Sequence, residues 1–172
     1  DGSVIGGAGE FSGSVLADAI GTAKVGKNVI GGDGSDSGHI LGDKGISLVR
    51  VGGNLEGGPG TRSGVISTGD VNVNAAEDGD IQKLVISGSI VGGSGETAGA
   101  VMGAAIYSTS IGGSILGGSG ILSGSVLGVS IGNVSVAGSV NGGSWLFAGS
   151  IIGISGIVSV KIGKDLSTNA PL

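Results

Sequence analysis

The chain has 172 residues, 42 of them Gly, with two Pro, no Cys, 12% charged residues, 2% aromatics and a formal net charge of −5. So many helix-breaking residues exclude a helical domain, the high apolar content excludes disorder, and the glycines do not recur at every third position as collagen requires. The lack of Cys excludes disulfide scaffolds and Cys-based zinc sites, an acidic chain with pI near 4.5 suits nucleic acid poorly, and no 20-residue apolar run is free of Gly or Ser, so no membrane-spanning helix is predicted.

In chain order, one pattern recurs in residues 1–25, 26–51, 52–86, 87–111, 112–136 and 137–162, then in a partial copy, 163–172. The third copy carries a ten-residue insertion, 71–80. Each copy opens on an aliphatic residue behind a small polar one: Val4, Val29, Leu55, Ile90, Ile115, Val140 and Leu166. Paired glycines follow, as at Gly6-Gly7 and Gly117-Gly118, and a further Gly recurs at Gly13, Gly38, Gly64, Gly99, Gly124 and Gly149. A second aliphatic column then reads Val15, Ile40, Ile66, Val101, Val126 and Ile151. The third is Ile throughout: Ile20, Ile46, Ile81, Ile106, Ile131 and Ile157. Each full copy closes on Val25, Val51, Ile86, Ile111, Val136 or Ile162.

Short β-branched stretches bounded by glycines are strands and tight corners. None is large enough to bury its own apolar side, so each must stack on its counterpart in the next copy, at the ~4.8 Å spacing of paired strands. The pattern predicts an all-β, single-stranded parallel β-helix, a β-solenoid with three short strands per coil of about 25 residues. It comprises one domain, 1–172, of six coils and a fragment, right-handed by the general rule for parallel crossovers and roughly 30 Å long.

In this architecture and its Gly/Ser/Val/Ile/Asn texture, the whole chain resembles the β-solenoid repeats of secreted bacterial surface proteins such as adhesins and autotransporter passengers. That resemblance implies an extracellular or cell-surface rod that displays or spaces something, usually without catalysis.

The glycine-rich stretch Gly6–Gly13 imitates a phosphate loop, but it recurs in every coil without a following helix, so it reads as a corner. The calcium-roll repeat is excluded because only Asp36 among six equivalent positions is an Asp. His39, the only His, falls in the outward column Ser14, Val65, Ala100, Ser125 and Ser150 and reads as solvent-facing, with a Ser–His–Asp triad as the disfavoured reading. Asp18 and Asp43 share a corner column, and Asp70 lies one position further on, beside Glu77, Asp78 and Asp80 of the insertion. Stacked carboxylates repel, so these three are the candidate calcium ligands, against the reading of a solvated acidic turn.

Charge is unevenly spread: 12 of the 13 acids lie in residues 1–96, and residues 97–160 contain no Asp, Glu, Lys or Arg. In that uncharged part the outward corner becomes Ile121-Leu122 and then Trp145-Leu146-Phe147, a candidate interface on an apolar patch.

These readings lead to a non-enzymatic structural or interaction segment, cut or processed from a longer secreted or cell-surface bacterial protein. Its expected partners are further repeats or copies of itself, end to end or lateral, with a surface glycan as another; neither nucleic acid nor a membrane span is expected. No cofactor is expected except calcium at the acidic corner. The competing reading is a carbohydrate-binding or pectate-lyase-like β-helix using that corner, with Arg50 and Arg62 considered as bases, or Trp145.

Overall fold

The computed structural model describes residues 1–69 and 79–168, which form strands and turns and no helix. Most of the inserted segment, with Asp70, Glu77 and Asp78, lies outside the described residues. The first coil contributes β1 (Val4–Ile5), β2 (Val15–Ala17) and β3 (Ile20–Val25). The second contributes β4 (Val29–Ile30), β5 (Ile40–Gly42) and β6 (Gly45–Val51), and the third β7 (Leu55–Glu56), β8 (Ile66–Ser67) and β9 (Asp80–Ile86). Coil four holds β10 (Ile90–Val91) and β11 (Val101–Ile111), and coil five β12 (Ile115–Leu116) and β13 (Val126–Val136). Coil six holds β14 (Val140–Asn141) and β15 (Ile151–Ile162), and β16 (Leu166–Ser167) opens the seventh.

The chain is a parallel β-solenoid of about six turns. The opening strands of successive coils form one seven-stranded parallel sheet, β1-β4-β7-β10-β12-β14-β16. The remaining strands form the second. All four predicted columns are in register: Val29 on Leu55, Ile40 on Ile66, Ile81 on Ile106 and Val136 on Ile162. Backbone pairing continues through the corner between the sheets, where the N–H groups of Asp36, Arg62, Thr97 and Leu122 donate to Thr61, Glu96, Ile121 and Leu146. Coil edges therefore satisfy one another along nearly the whole perimeter.

Three strands per coil holds only for the first three coils. In coils four to six the second and third stretches fuse into the single long strands β11, β13 and β15. Small uncharged residues such as Gly103-Ala104-Ala105 run straight where Asp18-Ala19 and Asp43-Lys44 bend the chain outward. All variation in coil length falls at this one corner. The single extra residue of coils two and six is accommodated beside Gly45 (φ 141°) and Gly156 (φ 154°), and the ten-residue insertion, 71–80, falls between Ser67 of β8 and Ile81 of β9. Thr68 Oγ1 donates to the Gly79 carbonyl at 2.5 Å, and Gly79 N–H to that of Asp43, so both ends of the insertion are held to the ladder.

The core contains a fifth interior column absent from the sequence reading: Ala23, Val49, Leu84, Thr109, Val134 and Val160. Ala23 and Thr109 interrupt its aliphatic character, so alternation in the sequence does not mark it. Another feature is a ladder of non-glycine residues in the left-handed region: Phe11, Asp36, Arg62, Thr97, Leu122 and Phe147, with φ between 52° and 55°. Two residues later the glycine column also has positive φ, and there a Cβ at Gly38 would collide with the Ile30 carbonyl, so glycine is required. The tight corner explains why so strained a conformation recurs coil after coil.

Ile106 is 1% exposed between Ile81 and Ile131. Replacing it by Asp puts an unpaired carboxylate into an aliphatic ladder, at a cost of several kcal/mol. Thermal unfolding followed by circular dichroism should show Ile106→Asp unfolded or melting far below the parent, and the outward Ser135→Asp close to it. Thr109 is buried and its hydroxyl has no hydrogen-bond partner among the described residues. Thr109→Val should therefore raise stability by about 1 kcal/mol in urea unfolding, since it removes an unsatisfied donor at constant shape.

Candidate functional site

The left-handed corner curls the chain back on itself, so the residue three positions later packs beneath it. Ser125 and Ser150 hydroxyls accordingly donate to the carbonyls of Leu122 and Phe147, both at 2.5 Å. This overturns the solvent-facing reading of the His39 column. His39 is 3% exposed, Val65 and Ala100 are fully buried, and these two form with Met102 a second apolar cluster outside the main core, against which Leu127 packs.

In coils two and three the same geometry assembles a polar chain. His39 Nε2 lies 2.7 Å from Ser67 Oγ, and its Nδ1 lies 3.3 Å from Asp36 Oδ1. The Asp36 carboxylate is in turn clamped by Arg62, with Nε 2.8 Å from Oδ1 and Nη2 3.0 Å from Oδ2. Asp36 and Arg62 occupy the same corner column on adjacent coils, so the ~4.8 Å coil spacing itself brings the opposite charges together. A carboxylate beside Nδ1 favours the tautomer with its proton there, leaving Nε2 to accept the Ser67 hydroxyl hydrogen. Burial pushes the His39 pKa down to about 4; Asp36 opposes this shift and Arg62 adds to it. The imidazole is thus neutral at pH 7.

The residue order matches a Ser–His–Asp triad, and the geometry differs from one in two respects. The Nδ1 contact with Asp36 is not aligned as a hydrogen bond, and that carboxylate's charge is already engaged by Arg62. Ser67 is 1% exposed and paired through β8 to both neighbouring coils, so its hydroxyl is sealed from the surface. As it stands, the arrangement is a closed polar node beneath a cleft of about 240 Å³ lined by Phe11, Asp36, His39, Leu41, Asp43, Arg62 and Gly69.

The candidate calcium ligands are only partly brought together. Asp18 forms an exposed ion pair with Lys44 at 3.5 Å, so Lys44 offsets the repulsion between stacked carboxylates for which calcium was considered. Asp43 lines the cleft, and Asp70 lies outside the described residues. Among the described residues no three His, Cys, Asp or Glu side chains are grouped to hold a metal ion. The candidate interface residues do meet at one corner. Trp145, Leu146 and Phe147 are 60–64% exposed, and the half-buried Ile121 and Leu122 stand over Leu146 and Phe147 through the Leu122 N–H to Leu146 carbonyl bond.

No protein-family model, curated protein or solved structure matches the chain.

Because the folded His39 has its pKa below the unfolded value of 6.5, unfolding takes up a proton at mildly acidic pH. The contribution of this group to stability should be fully present above pH 6.5 and be lost progressively as pH drops toward about 4. Urea unfolding between pH 7 and 5 should show this loss in the parent and a flatter profile in His39→Gln, which does not titrate.

Proposed function

We propose that the chain is a non-enzymatic structural segment of a secreted or cell-surface bacterial protein, a rigid rod that spaces what is joined to it and assembles side by side with copies of itself. The observation that carries this reading is the continuity of the stacked columns. They run from the first coil to the last without a break, leaving an interior filled with aliphatic side chains. A solenoid in which each coil contacts only its neighbours is stiff along its axis and extends by adding coils. The extracellular bacterial setting comes from the resemblance in repeat texture alone.

Lateral association is assigned to the Trp145-Leu146-Phe147 corner with a second copy as occupant. The corner is apolar and contiguous, and residues 97–160 around it carry no charge to hold copies apart. A pairing of like corners buries the same residues on both partners. Sedimentation and light scattering should show concentration-dependent association of the parent. Trp145→Lys/Leu146→Glu should reduce it strongly without lowering the melting temperature. A parent that stays monomeric at high concentration, indistinguishable from the variant, overturns this assignment.

A further inference from the structure

Six of the eight cationic residues, Lys24, Lys27, Arg50, Lys83, Lys161 and Lys164, lie on one side of the rod. They occupy the outward face of the strands that close each coil, and the corner that follows. The other two, Lys44 and Arg62, are paired with Asp18 and Asp36, whereas none of the six is in an ion pair among the described residues. Strand register makes this face a continuous strip. One outward column reads Lys24, Arg50, Val85, Ser110, Ser135 and Lys161. The column beside it passes through Lys83, Ser108 and Asn133. Neither contains a carboxylate. Of the acids around the strip, Asp1 lines a shallow cleft with Lys24 and Arg50, Asp165 follows Lys164 in the last coil, and Asp80 accepts a 3.3 Å hydrogen bond from the Tyr107 hydroxyl. Lys24 stacked directly on Arg50 is a destabilising arrangement by itself, and one that an anion relieves.

We propose that this face binds a linear acidic polysaccharide laid along the rod axis. The strip repeats at the ~4.8 Å coil spacing, which is close to the advance of one pyranose ring along an extended glycan, so successive rings meet successive coils. Lys24, Arg50 and Lys83 take the carboxylates. The uncharged Ser110, Asn133 and Ser135 further along are hydrogen-bonding partners for ring hydroxyls. Tyr107, half-exposed beside the strip, offers an aromatic plate to the C–H face of a sugar. The mixture of few cations and many neutral hydrogen-bonding groups suits a hydroxyl-rich polymer better than a nucleic acid, whose phosphates call for denser positive charge. The proposal is independent of lateral assembly, which uses a different corner of the coil.

The test is calorimetric titration of the chain with polygalacturonate free of divalent cations, with neutral dextran and duplex DNA as comparators. Polygalacturonate should bind with an affinity that falls as salt rises, and dextran and DNA at least about tenfold more weakly. Lys24→Gln/Arg50→Gln/Lys83→Gln should weaken binding by about tenfold and flatten the salt dependence, while Lys44→Gln, off the strip, leaves both unchanged. All three substituted side chains are exposed, and matching thermal melts establish that the variant is folded; if it is not, Lys24→Gln/Arg50→Gln carries the same expectation. Absence of polygalacturonate binding by the parent, a folded strip variant that binds as the parent does, or DNA bound as tightly as the uronate each overturns the proposal.

Discussion

Everything in this molecule depends on one constraint: each residue must sit on its counterpart about one coil away in sequence and ~4.8 Å away in space. Backbone hydrogen bonding between parallel coils imposes that register, and the side chains then form ladders of like on like. Inside the rod the consequence is favourable, because aliphatic side chains of similar shape stack without voids, as Ile81, Ile106 and Ile131 do. Outside it the same rule multiplies whatever is placed there. A column of cations repels itself, a column of opposite charges such as Asp36 and Arg62 attracts, and adjacent apolar corners such as Leu122 and Phe147 build a patch.

The constraint also determines where the chain can vary. Three departures from a 25-residue coil, the single residues near Gly45 and Gly156 and the ten-residue insertion, share one corner. Elsewhere the backbones of adjacent coils approach so closely that a Cβ at Gly60 or Gly120 would run into the carbonyl beneath it. The tolerant corner lies between the second and third aliphatic columns, where the chain either bends outward or runs straight without disturbing the interior. In coils two and three it lies next to the buried His39 node and its cleft, so the variable edge of the rod adjoins a buried ionisable cluster.

That node shows how a repeat acquires chemistry without abandoning its frame. Ser14, His39, Val65, Ala100, Ser125 and Ser150 occupy one column under one corner geometry, yet only the second coil has an imidazole there, with Asp36 three residues before it. The diagonal neighbour Ser67 and the overlying Arg62 complete its polar partners. Desolvation under the corner keeps the ring neutral, because the adjacent carboxylate is shared with a guanidinium and is unable to compensate fully for the lost water.

The sequence by itself determined the solenoid, the boundaries of its coils and four of its five interior columns, because alternation of aliphatic and small residues at a fixed period has few other solutions in three dimensions. It also gathered the Trp145 corner, which follows from column membership alone, whereas the pairing of Asp36 with Arg62 in a shared column became visible only in the structure. Tertiary structure decided what alternation does not encode. An outward position is exposed only if nothing folds over it, and the left-handed corner does fold over the His39 column, converting a surface reading into burial. Fusion of strands in coils four to six was likewise hidden, because alternation does not say whether the corner between the second and third columns bends, as at Asp18 and Asp43, or runs straight, as through Gly103-Ala104-Ala105. The basic strip emerged for the same reason: cations far apart in the sequence share a face only once register brings their coils together.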